Sequence, residues 1–245
     1  YHKRLQKEVV LKKIKRKSRD ARINRNEVDI LKNLNHMYLP QVVDFFEENG
    51  EIYTAMSFIP GRSLKELMEE RRQFSQRQLI RWAMQLCSAL NYLHTQTPPI
   101  IHGDIKPANI MVTPRGDVCL IDFNVSFAVN GNTVLGYTEG YASPEQYIIA
   151  LDSREGRELP QYRVIDEKSD IYSTGATLFH LITGKKAGRN RTKAEEYLLK
   201  NYVSEAFAAV ILKAMDPKSE KRYKNAREMF QALQNVYKKD ARYRK

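Results

Sequence analysis

The segment His102–Asn109, which reads HGDIKPAN, decides how this chain is interpreted. It comes after a stretch with apolar residues along one helical stripe and precedes a predicted hairpin, so it is a loop between two rigid elements. Catalytic groups are often carried by such loops. Here the Asp104 carboxylate could accept a hydroxyl proton, the Lys106 ammonium could neutralise phosphate charge, and the Asn109 amide oxygen could hold a metal ion.

A second acidic group, Asp122, ends the hairpin thirteen residues after Asn109. Taken singly, each group has an ordinary structural explanation, because an Asp can cap a turn and an Asn can satisfy backbone groups in a loop. Their joint spacing is much harder to explain by chance. The pattern therefore indicates one site with two metal-binding oxygens, a base and a cation.

The first third of the chain is predicted to mix strands with one helix. KEVVLKKI (residues 7–14) is β-branched and reads as a strand, and 42–59 reads as two strands joined at Asn49-Gly50, a strong hairpin turn signal. The helix is placed at Ser18–Leu34 because its apolar residues recur near helical period. Pro60-Gly61 separates these elements from the rest of the chain.

The remainder is predicted to be mostly helical. A capping box at Ser75 and Gln78 opens a long helix, and a short hairpin turns at Pro114–Gly116. Gly184 is predicted to end another helix in the C′ position. Helices are predicted from Ser75 to about Leu93, at Ser169–Thr183, at Ser204–Ala214 and at Asn225–Asp240, and the polar segment Ile148–Ile165 is read as a long connection.

The amino-acid composition argues against several classes of protein. The chain has 245 residues, 42% hydrophobic and 29% charged, and this is ordinary for a globular protein. No run approaches the roughly 18–20 apolar residues that span a bilayer. The formal charge of +12 could attract anionic partners, but no aromatic residues are interleaved to stack bases, so no nucleic-acid partner is expected. Cys87 and Cys119 lack metal-ligand spacing, which favours a reducing, cytoplasmic compartment, whether for a free protein or for the intracellular domain of a larger one.

These motifs resemble those of the eukaryotic-like (Hanks-type) protein kinase domain, and most of all those of bacterial serine/threonine kinases. HGDIKPAN resembles the HRD-x-K-x-x-N catalytic loop, and Asp122-Phe123-Asn124 is similar to the DFG metal site. Val9–Lys12 resembles the VAIK strand. Further matches are Glu27 to the glutamate of helix αC, Ala142–Glu145 to the end of the activation segment, Asp170 to the aspartate that anchors the catalytic loop, and Arg222 to the arginine that pairs with Glu145.

The resemblance implies an α+β, two-lobed kinase fold that transfers the γ-phosphoryl group of ATP to Ser or Thr hydroxyls of a protein substrate. It implies a β-rich N-lobe at 1–59, lacking the first strand and Gly-rich loop, and a helical C-lobe at 60–245. It also implies the site residues: Asp104, Lys106 and Asn109 are catalytic, Asn109 and Asp122 hold Mg²⁺, and Lys12, Glu27, Met56, Phe58, Met111 and Asp122 bind the nucleotide.

Four departures from the family pattern leave an alternative open. No Gly-rich motif precedes Lys12, Gly103 replaces the usual Arg, Asn124 replaces the DFG glycine, and Val10 replaces the Ala that packs on adenine. The alternative is a pseudokinase that binds nucleotide or acts as a scaffold. HGD alone also occurs in small-molecule phosphotransferases, but those lack the SPE and SDIYSTG motifs.

Two threonines precede Glu145 in the segment where autophosphorylation often occurs. Thr138 aligns with the threonine that contacts the catalytic Asp, so its hydroxyl is expected to be structural. Because Gly103 offers no guanidinium, phosphate on Thr133 is expected to change activity little.

Overall fold

The computed structural model describes residues 1, 6–14, 32–49, 51–122, 126–127, 137–155, 165–187, 191–200 and 203–242. Within these ranges a small antiparallel sheet precedes a larger, mainly helical part. The predicted α+β class and two-lobed architecture are confirmed.

The N-terminal sheet has three antiparallel strands in the order β1-β3-β2. The strands are β1 (Val9–Ile14), β2 (Val42–Glu48) and β3 (Glu51–Ser57). Asn49 turns β2 into β3 with a φ of 53°, a left-handed conformation that Asn tolerates better than most residues. Lys12 on β1 lies opposite Thr54 of the central strand β3, so the strand register fixes the position of the lysine.

Two further strand groups frame the loop HGDIKPAN. β4 (Arg62–Ser63), β6 (Ile110–Val112) and β7 (Val118–Leu120) form a sheet in the order β4-β6-β7, and β5 (Ile100–Ile101) pairs with β8 (Ser126–Phe127). The β6–β7 hairpin turns at Gly116, whose N–H donates to the carbonyl of Thr113, as the Pro114–Gly116 signal predicted. HGDIKPAN therefore begins directly after β5 and ends in a 3₁₀ turn (Pro107–Asn109) directly before β6.

Seven helices are present in the described part of the chain. They are α1 (Leu64–Glu69), α2 (Gln76–His94), α3 (Pro144–Arg154), α4 (Glu167–Thr183), α5 (Arg191–Lys200), α6 (Glu205–Ala214) and α7 (Ala226–Arg242). The long helices α2, α4, α6 and α7 were predicted, each within two residues of its observed start. Helices α1, α3 and α5 were not. Among the described residues, no helix combines the length and apolarity needed to cross a membrane.

Local chemistry explains the helix ends. Ser75 accepts the N–H of Gln78 and so caps α2, but Gln78 does not complete the predicted capping box. Complete capping boxes instead begin the unpredicted helices α1, at Ser63, and α3, at Ser143. Gly184 ends α4 at a φ of 67°, as predicted, because a residue without Cβ adopts this conformation at little cost.

The core lies around α2. Ile80, Ala83, Leu90 and Leu93 on its inner face are fully buried and belong to one continuous apolar cluster. That cluster also contains residues of α4, α6 and α7. Burial against several neighbours makes α2 a rigid support for the catalytic-loop candidate beyond its C-terminal end.

Two of the predicted segments lie only partly within the residues that the structure describes. Residues 15–31 lie outside the described part, so the helix at Ser18–Leu34 stays a prediction, although Leu34 is buried in the core. The connection predicted at Ile148–Ile165 was wrong in its first half. There α3 continues to Arg154, because Pro144 and the Ser143 cap start a helix that buries Ile149 and Ala150. Residues 156–164 are outside the described ranges.

Candidate active site

Asp170 at the start of α4 anchors the loop HGDIKPAN. Its Oδ2 accepts the backbone N–H of His102 at 2.8 Å, and its Oδ1 accepts that of Gly103 at 2.8 Å. His94, the last residue of α2, donates from Nε2 to the same carboxylate at 2.9 Å. The side chain of Asp170 is fully buried, so these donors replace water. Helices α2 and α4 are thereby both tied to the start of the loop, as predicted for Asp170.

The ionisation of Asp170 is a consequence of this arrangement. Burial alone would raise the pKa of the carboxyl group, but the hydrogen bond from His94, the nearby His102 and the Gly103 N–H outweigh it. The pKa of Asp170 therefore lies below its ordinary value. A buried carboxylate that stays charged holds N–H donors more strongly than a neutral acid would.

Gly103 has a backbone conformation that explains the residue found there. Its φ is 74°, in the left-handed region that favours glycine. Its N–H donates to Asp170, and its carbonyl accepts from Nε2 of Gln146 at 3.0 Å. Gln146 is buried in the first turn of α3. The glycine thus connects the loop to α4 on one side and to α3 on the other.

Asp104 lies at the centre of a cluster of donors. Lys106 donates from Nζ to its Oδ2 at 2.7 Å, and Thr138 donates from Oγ1 to its Oδ1 at 2.7 Å. Asn109 donates from Nδ2 to the Asp104 backbone carbonyl at 2.8 Å and to Oδ2 at 3.1 Å. The predicted contact of Thr138 with this aspartate is confirmed. The three side-chain donors orient the Asp104 carboxylate and use three of its approximately four lone-pair sites. Asp104 can therefore accept one more hydrogen bond.

His102 links Asp104 to the second acidic residue. Burial lowers the pKa of the imidazole, so the ring is neutral near pH 7. Its Nε2 donates to the carbonyl of Ile121 at 3.1 Å, and its Nδ1 accepts the N–H of Asp104 at 3.3 Å. The Ile121 N–H donates to the Asn109 carbonyl at 2.9 Å. The chain entering Asp122 is therefore bonded to both ends of the loop.

Asp122 faces the N-terminal sheet. The ammonium of Lys12 on β1 lies 2.5 Å from its Oδ1, with both side chains partly exposed. Asp122 has a φ of 66°, and a non-glycine residue in this region stores strain of about 1 kcal/mol or more. The surrounding hydrogen bonds hold it there, and its carboxylate turns toward the sheet. Glu27, predicted as the other partner of Lys12, lies outside the described residues.

The chemistry of the available oxygens fits a magnesium ion. Nδ2 of Asn109 is used on Asp104, so its Oδ1 is the atom that can serve as a ligand, and Asp122 supplies a carboxylate. Mg²⁺ is commonly held by one or two carboxylates together with substrate phosphates and water, and needs no full protein cage. No group of three or more His, Cys, Asp or Glu residues able to hold a metal was found in the described ranges.

The residues predicted to contact adenine lie at the junction of the two parts. Met56 is buried near the end of β3, and Met111 lies on β6 opposite Ser63 and Cys119. Phe58 is 47% exposed. The N–H groups of Ser57 and Phe58 already donate to the carbonyls of Gln41 and Glu8. A bound adenine would therefore have to form its hydrogen bonds with the backbone carbonyls here or with the next backbone N–H along the chain.

A buried ion pair supports the far side of the site. Arg222 donates from Nη1 and Nη2 to the two carboxylate oxygens of Glu145, at 2.6 and 2.9 Å. Burial raises the pKa of Glu145, but the hydrogen bond and charge of Arg222 outweigh this and lower it overall. The predicted pairing is confirmed. It fixes α3 to the chain before α7, and with it the end of the segment that carries Thr138.

The structure thus brings together Asp104, Lys106 and Asn109, and separately Lys12 with Asp122. Two positioning residues were missed from the sequence, His94 and Gln146. His94 is the last residue of a predicted helix, which was the available signal. Gln146 comes three residues after Ser143, so the capping-box pattern could have placed it, but nothing local indicated its bond to Gly103.

Comparison with known proteins decides the family. The model of the protein kinase domain matches residues 1–245. This chain belongs to the protein kinase domain family. The kinase domain is 30% identical over 212 residues to a probable serine/threonine-protein kinase of Clostridium acetobutylicum, covering 80% of this chain and 30% of that protein. It is 28% identical over 219 residues to serine/threonine-protein kinase B of Synechocystis, covering 82% and 35% respectively. The predicted similarity to bacterial serine/threonine kinases is confirmed, and the chain spans about a third of these relatives.

Solved structures agree on the fold of this kinase domain. The kinase domain of PknI from Mycobacterium tuberculosis has a TM-score of 0.63 at 20% identity, with 86% of this chain and 76% of that chain covered. A structure of Rad53 in complex with AMP-PNP has a TM-score of 0.66 at 21% identity, with 87% and 54% covered. At such identities the likeness establishes the fold alone.

Proposed function

We propose that this kinase domain transfers the γ-phosphoryl group of ATP to Ser or Thr hydroxyls of a protein substrate. The observation that carries the proposal is the Asp104 cluster, in which one carboxylate is oriented by an ammonium, an amide and a hydroxyl. The relatives named as serine/threonine kinases support the same reaction.

In the proposed mechanism Asp104 orients the substrate hydroxyl and finally accepts its proton. Phosphoryl transfer needs mainly positioning and charge neutralisation, because the transition state spreads negative charge over the phosphoryl oxygens. Lys106 lies beside Asp104 and can place its ammonium against the transferred group while Thr138 holds the carboxylate in place. When bound, Mg²⁺ would supply positive charge to the phosphates, and Asn109 and Asp122 are the residues that would hold it.

The nucleotide is proposed to lie between the sheet and the β6–β7 hairpin. Lys12 would pair with the α- and β-phosphates, and Glu27 would pair with Lys12. Met56, Phe58 and Met111 would contact adenine. The exposed faces of Val10 and Phe58 are available for this contact, since both side chains are more than two-fifths exposed. The division into an N-lobe at 1–59 and a C-lobe at 60–245 belongs to the same proposal.

A pseudokinase would bind nucleotide without turnover. Against this alternative, Lys12, Asp104, Asn109 and Asp122 are all present, and Lys106 and Asn109 bond directly to the Asp104 carboxylate.

The test is Mg²⁺-dependent transfer from radiolabelled ATP to a generic protein substrate, with phosphoamino-acid analysis of the product. We expect label on Ser or Thr with the full-length protein and none when Mg²⁺ is removed. ATP binding without transfer to any protein would support the pseudokinase, and label confined to Tyr would refute the Ser/Thr assignment.

A further inference from the structure

The segment after Thr138 runs beside Lys186, an exposed lysine that follows Lys185 just after the end of α4. Thr138 touches the catalytic carboxylate, and its carbonyl accepts the N–H groups of Tyr141 and Ala142 at 3.1 Å, so the chain turns at once. Gly140 lies inside this turn with a φ of 88°. The turn therefore begins at a residue that is bonded directly to the Asp104 carboxylate.

The side chain of Lys186 packs directly on this turn. A Cβ built on Gly140 would lie 2.8 to 3.1 Å from three carbons of the Lys186 side chain, which is closer than ordinary van der Waals contact. The Lys186 ammonium lies 5.9 Å from the centre of the Tyr141 ring, and the Lys185 ammonium lies 4.1 Å from that of Tyr197. Both lysines are exposed, and in the described part of the chain neither forms an ion pair with a carboxylate.

The turn itself is held in place by a buried contact. The Tyr141 hydroxyl lies 2.5 Å from Nδ1 of His180 on α4. Burial raises the pKa of Tyr141 to about 12, so the phenol stays protonated and donates. Burial and the charge of Lys186 lower the pKa of His180, so the imidazole accepts as a neutral ring near pH 7. This contact binds the turn to α4, whose end leads directly into the two lysines.

The charge around this turn is predominantly positive. Glu139 is its one exposed acidic side chain, and Glu145 is neutralised by Arg222. The sequence from 185 to 193, KKAGRNRTK, contains five basic residues and no acidic one. The chain as a whole carries a formal charge of +12. A field of this sign attracts negatively charged substrate segments.

We propose that Lys185 and Lys186 form a basic rim that selects substrates with acidic residues near the acceptor hydroxyl. This inference rests on the proposed kinase activity and adds the class of substrate. Lys186 packs on Gly140, two residues beyond the Thr138 that bonds Asp104, so the acidic residues would stand close to the acceptor in the substrate sequence. Exposed ion pairs are individually weak, so we expect a preference of about three- to tenfold in kcat/KM from the two lysines together.

The experiment compares three peptides on the full-length protein. They share one acceptor and carry Asp, Ala or Lys at the flanking positions on either side. We expect the highest kcat/KM for the acidic peptide, with an advantage that declines as salt is raised. Lys186→Glu should remove or reverse the preference for the acidic peptide, and Lys186→Met should reduce this preference, since Lys185 remains, while keeping the packing on Gly140. Glu139→Gln should increase it.

A matched charge change on α7 is the control. Lys239→Glu alters the net charge equally but lies on a helix that packs mainly against α2. If Lys239→Glu changes the ratio as much as Lys186→Glu, or if peptides of all three charges react equally well, the rim is refuted while the kinase activity stands. If no peptide or protein is phosphorylated at all, it is the kinase proposal that fails.

Discussion

Thr138 and Asp104 are joined by a 2.7 Å hydrogen bond across a sequence separation of 34 residues. Lys106 donates to both of them, at 2.7 Å to the carboxylate and 3.0 Å to the hydroxyl. The candidate catalytic loop and the segment before α3 therefore meet at a closed triangle of side chains. The orientation of the carboxylate depends on residues from both segments.

Replacing Thr138 tests this dependence. Thr138→Val removes the hydroxyl at nearly constant volume, so Asp104 loses one of its three side-chain partners and Lys106 loses an acceptor. We expect kcat to fall at least tenfold with KM for ATP little changed, because the interaction positions the base. Thr138→Ser should restore most of the rate. Equal activity of the Val and Ser variants would contradict the role given to this hydroxyl.

Asp122→Ala tests the metal site. The carboxylate is one of two oxygen ligands proposed for Mg²⁺, and its loss should reduce turnover by about 100-fold or more. The side chain is partly exposed and not part of the core, so the melting temperature should shift by only a few degrees. Rate and thermal unfolding are measured on the same preparation. Substantial residual turnover would refute the assignment.

The buried pair Arg222 and Glu145 should contribute to stability. Arg222→Leu leaves the Glu145 carboxylate without its bidentate partner, and breaking such a pair costs about 3 to 5 kcal/mol. The double variant Arg222→Leu with Glu145→Gln should be more stable than the single one, because no unpaired charge remains. Denaturant unfolding of wild type, Arg222→Leu, Glu145→Gln and the double variant gives the coupling energy. Additive losses would mean that the pair is not coupled.

Acid should destabilise the domain through Asp170 and Glu145. Both have a folded-state pKa below the ordinary value, 3.8 for Asp and 4.5 for Glu. The stability they contribute is therefore present above these values and is lost as pH falls through the folded-state pKa. We expect the free energy of unfolding to drop steeply below about pH 4.

The matched variant for this titration is Asp170→Asn. It should be less stable than wild type at pH 7, because an amide cannot accept the three donors as a carboxylate does. Its disadvantage should shrink as pH falls through the same range. Parallel curves for wild type and variant as pH falls below about 4 would contradict the linkage.

The sequence alone determined the fold class and the family, and it indicated the residues of the candidate catalytic loop. HGDIKPAN and Asp122 form a motif that is defined by the number of residues between them. That number can be read from the sequence without knowing the fold. Helices α2, α4, α6 and α7 were predictable because their signals also lie within short stretches of sequence. The apolar stripe of α2 and the cap at Gly184 act over a few residues, so their signal is local.

Only the tertiary structure decided how those residues act on one another. Lys106 bonds Asp104 within one loop, but Thr138, Asp170 and Gln146 reach that loop from distant parts of the chain. Helix α3 was missed as well, because the Gln146 of its capping box is also held by a hydrogen bond to the carbonyl of Gly103, which is distant in the sequence. Lys186 is an ordinary exposed lysine in the sequence, and its position on Gly140 depends on how α4 packs. The sequence shows which chemical groups the chain contains and how many residues separate them. The spatial distances between groups that are far apart in sequence are set by folding, which is driven by the burial of apolar surface.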